Sequence, residues 1–323
     1  GYEGQLSLKN SSVLCIGAGG LGSSVLLYLA AAGIGKIGIV DNDYVEKSNL
    51  QRQIIHETNT IGSLKIDSAQ ERIKKFNPNS ELLTFAERIN PKNALEIIQK
   101  FDIVCDCSDN FGTRYLINDA CLILNKPLVF GSVQGFEGQV SVFNLNKTSP
   151  NLRDLLPESP SKNAVPSCAE YGVVGVSTGL IGIIQVNEII KIILKKGEVL
   201  DGKIMVFDLL HMNTKKLHLK SDQVNKQIKN LSKFMDYYSD DECSTENKKI
   251  NRINAYDFIS LYKIKPNEIL LIDVRENEEF SGSSIEGSIS LPLSHLNQKP
   301  DLEFIQKESL IKEVFTMCKT GKR

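Results

Sequence analysis

Short apolar runs alternate with stretches of helical periodicity along the front part of the chain. Runs at 13–17, 36–40, 81–86, 101–106 and 127–131 predict strands, and 20–32, 62–76, 91–99 and 110–125 predict helices. Strands separated by helices imply parallel βαβ units, because a parallel pair needs a crossover longer than a hairpin. Residues 135–143 alternate apolar and polar positions and predict a later antiparallel strand. The Pro-, Ser- and Asn-rich stretch 146–171 reads as a long loop, of the kind that is functional or disordered. A long helix over 172–196 and two closing strands over 203–219 complete this first pattern.

From Lys220 to Lys249 the chain is polar and dense in Asp, Asn, Lys and Ser, which reads as a linker. A second α/β pattern follows: helix 254–262, strand 269–274, short helix 276–280 and strand 313–317, which ends at Cys318. No internal repeat is present. The expected division is a first domain over 1–220, a linker over 221–249 and a second domain over 250–323. The chain starts at Gly1 and stops at Arg323, inside a motif, and is expected to be a fragment at both ends.

Composition narrows the function classes. The chain has 323 residues, with 38 Lys and Arg against 39 Asp and Glu, a net charge of −1. That balance argues for neither nucleic acid nor a membrane surface as partner. Seven cysteines, with no C-x-x-C pair, fit a reducing cytosol and a cytoplasmic protein. The apolar stretch from Val173 to Leu194 contains Gln185, Asn187, Glu188 and Lys191, so a helix packed on a sheet is expected rather than a membrane span.

The chemistry concentrates in residues 17–65. Gly17-Ala18-Gly19-Gly20-Leu21-Gly22 is a glycine turn that lets a helix N-terminus approach a phosphate. Alone it serves NAD or FAD as readily as ATP. Asp41, 19 residues past Gly22, can grip a ribose hydroxyl pair and still allows NAD. Arg52, after Ser48-Asn49-Leu50-Gln51, and Lys65 place two cations beside the turn, which a triphosphate needs and NAD does not. Taken singly, Arg52 reads as a surface arginine, Lys65 as a helix-face lysine and Asp109 as a helix N-cap. Their joint occurrence in this order argues for ATP.

The glycine turn, Asp41-Asn42-Asp43, Ser48-Asn49-Leu50-Gln51-Arg52-Gln53, Lys65 and Cys107-Ser108-Asp109-Asn110 together resemble the signature of the MoeB/ThiF adenylyltransferases, relatives of ubiquitin-activating enzymes. The resemblance covers residues 1 to about 220. Leu271 to Phe280, Ile285-Glu286-Gly287-Ser288-Ile289 and Leu291-Pro292-Leu293 resemble the front half of a rhodanese domain. Cys318-Lys319-Thr320-Gly321-Lys322-Arg323 resembles its C-x-x-G-x-R loop, where backbone N–H groups and cations lower a thiol pKa so that it holds a persulfide. The fold class expected is α/β: a doubly wound, Rossmann-like sheet, then a partial rhodanese-like α/β domain truncated after its active-site loop.

The resemblance implies site residues. Gly17, Gly19, Gly20 and Gly22 form the phosphate cradle, Asp41 holds the ribose, and Asn49, Arg52, Gln53, Lys65, Asp109 and Asn110 serve ATP, with Asp109 on Mg²⁺. Cys168, on the long loop, matches the family's loop cysteine and is expected to be accessible, whereas Cys15, Cys105, Cys107 and Cys121 sit in apolar runs and are expected in the core. Cys168 and Cys318 are the expected catalytic thiols, alongside Arg52, Lys65 and Asp109. Family members carry two zinc-binding C-x-x-C pairs; here the first pair's positions match Asn151 and Asp154, so no zinc is expected. They also carry an Arg-Tyr-x-Arg-Gln segment upstream of the position of Gly1.

The implied function is MgATP-dependent adenylation of the C-terminal glycine of a small ubiquitin-like sulfur carrier. Persulfide transfer would follow, for molybdopterin, thiamine or tRNA thiolation. Implied partners are the carrier, a sulfur donor such as a cysteine desulfurase or thiosulfate, and a second copy of the chain in a homodimer. Two alternatives come from other classes. An NAD-dependent oxidoreductase leaves Arg52, Lys65 and Cys318 unexplained, and a non-catalytic activating-enzyme-like subunit would have lost several ATP residues.

Overall fold

The structure, a computed structural model of the chain, describes residues 1–157, 172–234, 238, 253, 255–266, 268–292 and 313–317. It divides into two units, Gly1–Glu242 and Cys243–Arg323.

The first unit is built on strands β1 (Ser12–Ile16), β2 (Lys36–Val40), β3 (Glu81–Phe85), β4 (Ile103–Asp106), β5 (Leu128–Gln134), β6 (Glu137–Phe143), β7 (Lys203–Asp208) and β8 (Asn213–His218). They form one sheet in the order β3-β2-β1-β4-β5-β6-β7-β8. From β3 to β5 every neighbour is parallel, and from β5 to β8 every neighbour is antiparallel. The chain order reverses between β1 and β4, which pair from Val13↔Ile103 to Ile16↔Asp106. In open α/β sheets the crevice at the carboxyl ends of such a pair is where ligands sit.

The apolar strands owe their composition to burial on both faces. In β1, Val13 and Cys15 join one core cluster while Leu14 and Ile16 join the other, as period-2 side chains must. Helices α1 (Tyr2–Lys9), α2 (Gly20–Ala32), α3 (Lys65–Phe76), α4 (Ala94–Ile98), α5 (Phe111–Leu124), α6 (Leu152–Leu155) and α7 (Gly175–Leu194) complete the unit. Buried residues of α2 and α7 belong to the first cluster, and those of α4 and α5 to the second.

Helix α7 has the length and apolar composition of a membrane span, yet Gln185 and Glu188 form bonds inside the unit. Gln185 is fully buried and donates to the Asp106 carbonyl at 2.8 Å. Glu188 accepts the Leu200 N–H at 2.9 Å and pairs with Lys191 at 2.6 Å. A Cβ on Gly182 would strike Leu21 O and Ser24 Oγ, so α7 and α2 touch at backbone distance.

Four differences from the sequence reading stand out. Helix α1 was not expected; only Leu8 of it is buried, which leaves no apolar stripe to detect. The helix expected over 62–76 begins at Lys65, because Gly62 adopts φ +90° and Tyr44 bridges to Leu64. The stretch expected as a linker from 221 folds back on the first unit in part: Ile228, Leu231 and Tyr238 are buried, and the Tyr238 hydroxyl donates to Asp119 at 2.7 Å. The loop expected over 146–171 contains the short α6, capped by Asn151. Its remainder from 158 to 171, with Cys168, lies outside the described residues.

In the second unit, β9 (Ile269–Asp273) lies between β10 (Ile289–Ser290) and β11 (Glu313–Met317), parallel to both, with helices α8 (Ala255–Ile264) and α9 (Asn277–Gly282). Ile269 and Leu271 pack with Phe258 and Phe315, while Leu270, Ile272 and Val274 pack with Leu291 and Val314. The Asp273-Val274-Arg275 segment is clamped: the buried Asp273 carboxylate takes Arg275 Nε at 2.9 Å and Nη2 at 2.6 Å. Gly287, in the Ile285–Ile289 segment that resembles the rhodanese pattern, sits at φ +84° where a Cβ would strike the Tyr262 hydroxyl. Cys318 to Arg323 lie outside the described residues.

Candidate nucleotide site

The glycine turn leaves β1 at the point where the chain order reverses. Gly17 takes φ +100°, closed to side-chain-bearing residues by strain, and a Cβ there would lie 2.7 Å from the Cys107 carbonyl. The turn after β1 is thus pressed against the turn after β4. A Cβ on Gly22 would strike the Gly17 carbonyl, so α2 starts as close to β1 as backbone allows. Gly19 is the N-cap of α2 and supplies no side-chain cap, which leaves the first N–H groups of the helix available to an anion.

Asp41 extends from the end of β2 to the same turn. Its Oδ2 accepts the Ala18 N–H at 2.8 Å and its Oδ1 accepts the Asp43 N–H at 2.9 Å. Burial pushes its carboxyl up and Lys65 opposes that shift. Each oxygen keeps a further lone pair for a donor such as a ribose hydroxyl. Lys65 opens α3 and is buried; its Nζ meets Asp43 Oδ2 at 2.9 Å, and the Asp43 side chain is 65% exposed. Arg52 Nη1 donates to Ser48 O at 3.3 Å, and the buried Asn49 accepts the Glu46 N–H at 3.3 Å. Gln53 is buried with Oε1 unpartnered, and its Nε2 lies 3.7 Å from where a Gly19 Cβ would stand.

The turn after β4 presents Asp109. Asp106 is fully buried, and its Oδ1 accepts Ser108 N–H at 2.9 Å and Ser108 Oγ–H at 2.6 Å. Burial pushes the Asp106 carboxyl up, opposed by the charge of Arg114. Arg114 Nη2 donates to Ser108 O at 3.1 Å, with its guanidinium over the Phe111 and Phe130 rings. The N-cap of α5 is Asn110, whose Oδ1 accepts the Thr113 N–H at 2.8 Å. Asp109 is therefore not the cap; it stands exposed on the turn, and the Asn110 carbonyl is spent on the helix.

Sequence reasoning did not single out His56, Asp106 or Arg114. His56 is buried, with Nε2 3.0 Å from Ala18 O and Nδ1 2.9 Å from Ser68 Oγ. Burial lowers its pKa, and the charge of Lys65 lowers it further. An unfolded chain protonates this ring at the ordinary value near 6.5, and the folded chain does so only at lower pH. The stability it carries is therefore present above about 6.5 and lost as pH falls from there toward the folded value. Thermal unfolding between pH 7.5 and 5 is expected to show this acid loss in the wild type, and a shallower loss in His56→Gln. Equal slopes would remove His56 as the cause.

Cys15, Cys105, Cys107 and Cys121 are buried, as expected for core thiols. Burial pushes the Cys105, Cys107 and Cys121 thiols up, and a hydrogen bond with Cys107 does most to raise Cys15. These thiols are poor nucleophiles. Cys168 and Cys318, the expected reactive pair, are not among the described residues.

Asn151 and Asp154, at the positions matched to the family's first cysteine pair, are spent on hydrogen bonds. Asn151 is fully buried and caps α6 by accepting the Arg153 N–H at 2.8 Å. Asp154 Oδ1 accepts from Asp222 N–H at 2.9 Å and Asn225 Nδ2 at 2.8 Å. This clasp joins segments about 70 residues apart through hydrogen bonds. Purified protein is expected to carry no stoichiometric zinc, with a melting temperature unmoved by chelator. One tightly held zinc per chain in metal analysis would overturn this.

A doubly wound domain with a glycine turn, a buried carboxylate at the end of β2 and an exposed carboxylate after β4 at its switch point has the features of a nucleotide-binding class. The ThiF family matches residues 1–228 and the rhodanese-like domain matches residues 260–323. The chain belongs to the ThiF family and carries a rhodanese-like domain behind it. It is 38% identical to the adenylyltransferase and sulfurtransferase MOCS3 of Drosophila virilis, covering 99% of this chain and 74% of that one. It is also 38% identical to the probable adenylyltransferase/sulfurtransferase MoeZ of Mycobacterium tuberculosis, covering 100% and 82%. A probable molybdopterin-synthase adenylyltransferase of Porphyra purpurea is 39% identical, over 96% and 80%. The fold is shared with E. coli MccB solved with ATP, at TM-score 0.58 and 21% identity over 68% of this chain and 67% of that one. PaaA shares it at TM-score 0.60 and 22% identity over 68% of each chain.

Proposed function

We propose that this chain adenylates the C-terminal glycine of a small ubiquitin-like sulfur carrier and then delivers sulfur to it. The observation that carries the reading is the convergence of the glycine turn, Asp41, Lys65 and the Asp109 turn at the β1/β4 switch point. The names of the relatives, which pair adenylyltransferase with sulfurtransferase, support it.

In the first step a carrier carboxylate oxygen bonds to the α-phosphorus of ATP, and the bond from that phosphorus to the β-phosphate bridging oxygen breaks. Negative charge moves onto the departing pyrophosphate. The N–H groups at the start of α2, with Lys65 and Arg52, would hold it. Lys65 is already ordered by Asp43, so little side-chain freedom is lost when phosphate replaces the carboxylate. Asp109 would hold Mg²⁺. A lone exposed carboxylate fits that ion, which takes one or two carboxylates and completes its shell with phosphates and water. Among the described residues no three His, Cys, Asp or Glu converge as a metal site. When bound, Mg²⁺ would neutralise phosphate charge.

The acyl adenylate is electrophilic at its carbonyl carbon. A persulfide on Cys318 attacks there and releases AMP, which leaves an acyl disulfide. Cys168 thiolate then attacks the Cys318 sulfur, freeing the carrier thiocarboxylate and leaving a Cys168–Cys318 disulfide for an external thiol to reduce. A cysteine desulfurase or thiosulfate would supply the persulfide sulfur, the enzyme would work as a homodimer in the reducing cytosol, and molybdopterin or tRNA thiolation would receive the product. The test is carrier-dependent exchange of labelled pyrophosphate into ATP, with nicotinamide absorbance followed in parallel. Exchange without an absorbance change supports the reading, and nicotinamide turnover without exchange overturns it.

A further inference from the structure

We propose that His56 is a positioning residue that locks the glycine turn to the helix carrying Lys65. This rests on the ATP reading above. The Ala18 carbonyl is an acceptor only, so His56 Nε2 carries the proton in that 3.0 Å contact, and Nδ1 lies 2.9 Å from Ser68 Oγ, which also meets Thr60 Oγ1 at 3.0 Å. Ala18 is then held from both sides, its N–H by Asp41 Oδ2 at 2.8 Å and its C=O by His56. In a trans peptide the carbonyl and the following N–H point opposite ways, so gripping Ala18 O turns the Gly19 N–H away from His56. Ser68 lies three residues past Lys65 on α3, one turn along the same face. One imidazole therefore spans the element that receives phosphate and the helix whose first residue neutralises it. It is buried beneath both and needs no contact with the nucleotide itself.

The experiment compares the wild-type chain of 323 residues with His56→Ala, His56→Gln and Ser68→Ala. His56→Ala is expected to raise the KM for ATP about tenfold, the size of one lost hydrogen bond to a buried peptide carbonyl, and to leave the KM for carrier unchanged. Gln restores a donor toward Ala18 O and is expected to recover most of the affinity. Ser68→Ala keeps the Ala18 bond, cuts the tie to α3, and is expected to fall between. If His56→Ala does not fold, His56→Gln and Ser68→Ala still report. An unchanged KM for ATP in the folded variants, with only a lowered melting temperature, assigns His56 to structure and overturns the proposal. Should the wild type bind ATP without carrier-dependent exchange, the function above fails by itself. The same comparison is then read from the ATP-induced rise in melting temperature, which His56→Ala is expected to lose; an equal rise in all four proteins overturns the proposal on that readout too.

Discussion

Replacing Lys65, Arg52 or Asp109 by Ala is expected to lower carrier-dependent pyrophosphate exchange by a factor of roughly a hundred, about 3 kcal/mol of transition-state stabilisation. The loss falls on catalysis rather than on the fold, for reasons visible in the structure. Asp109 is exposed and caps nothing, since Asn110 holds the α5 N-terminus. Lys65 is buried, but its partner Asp43 is 65% exposed, so removing the ammonium leaves a carboxylate that water still solvates. Among the described residues Arg52 makes one long side-chain bond, 3.3 Å to Ser48 O. The circular dichroism and melting temperature of the three variants should therefore stay close to wild type while exchange collapses. Normal exchange by Asp109→Ala would show that the carboxylate has been misassigned.

Asp119→Ala is expected to do the reverse, unfolding the first unit while touching no nucleotide residue. Asp119 is fully buried; Arg153 binds it through Nε at 3.0 Å and Nη2 at 2.7 Å, and the Tyr238 hydroxyl donates at 2.7 Å. Removing the carboxylate takes the ion-pair partner from a guanidinium that is 6% exposed. Breaking a buried pair from one side costs about 3–5 kcal/mol, whereas replacing both partners by apolar groups costs far less. Asp119→Leu/Arg153→Met should therefore recover much of what Asp119→Ala loses, read from urea midpoints of the full-length chain. A loss under about 1 kcal/mol in the single variant would mean that water or another group takes over the guanidinium.

Most of the parallel half of the sheet was legible because β1, β2 and β4 are buried on both faces and read as apolar runs, Val13 to Ile16 among them. In the antiparallel half, β6 was legible from alternation. The glycine turn, Asp41, Arg52 and Lys65 were visible because their chemistry depends on residue type and spacing. What stayed hidden depends on distance. His56 meets a partner 38 residues away, Gln185 one 79 away, and Asp154 others about 70 away. No local pattern records such pairs. The stretch after 220 was misleading for the same reason: the Asp222 N–H and the Asn225 side chain are spent on bonds to Asp154 of α6, while Ile228, Leu231 and Tyr238 carry the burial at spacings with no single period.

Tyr238 completes the shell of Asp119 from 119 residues further along the chain. During synthesis, at roughly 5–20 residues per second, that separation is an interval of about 6–24 seconds. Through it, β1 to β5 can already be paired and α5 in place, while one oxygen of a buried carboxylate still lacks its hydroxyl. The nascent unit thus has a built-in waiting period. It closes when the tail arrives, before the strands of the second unit have been made.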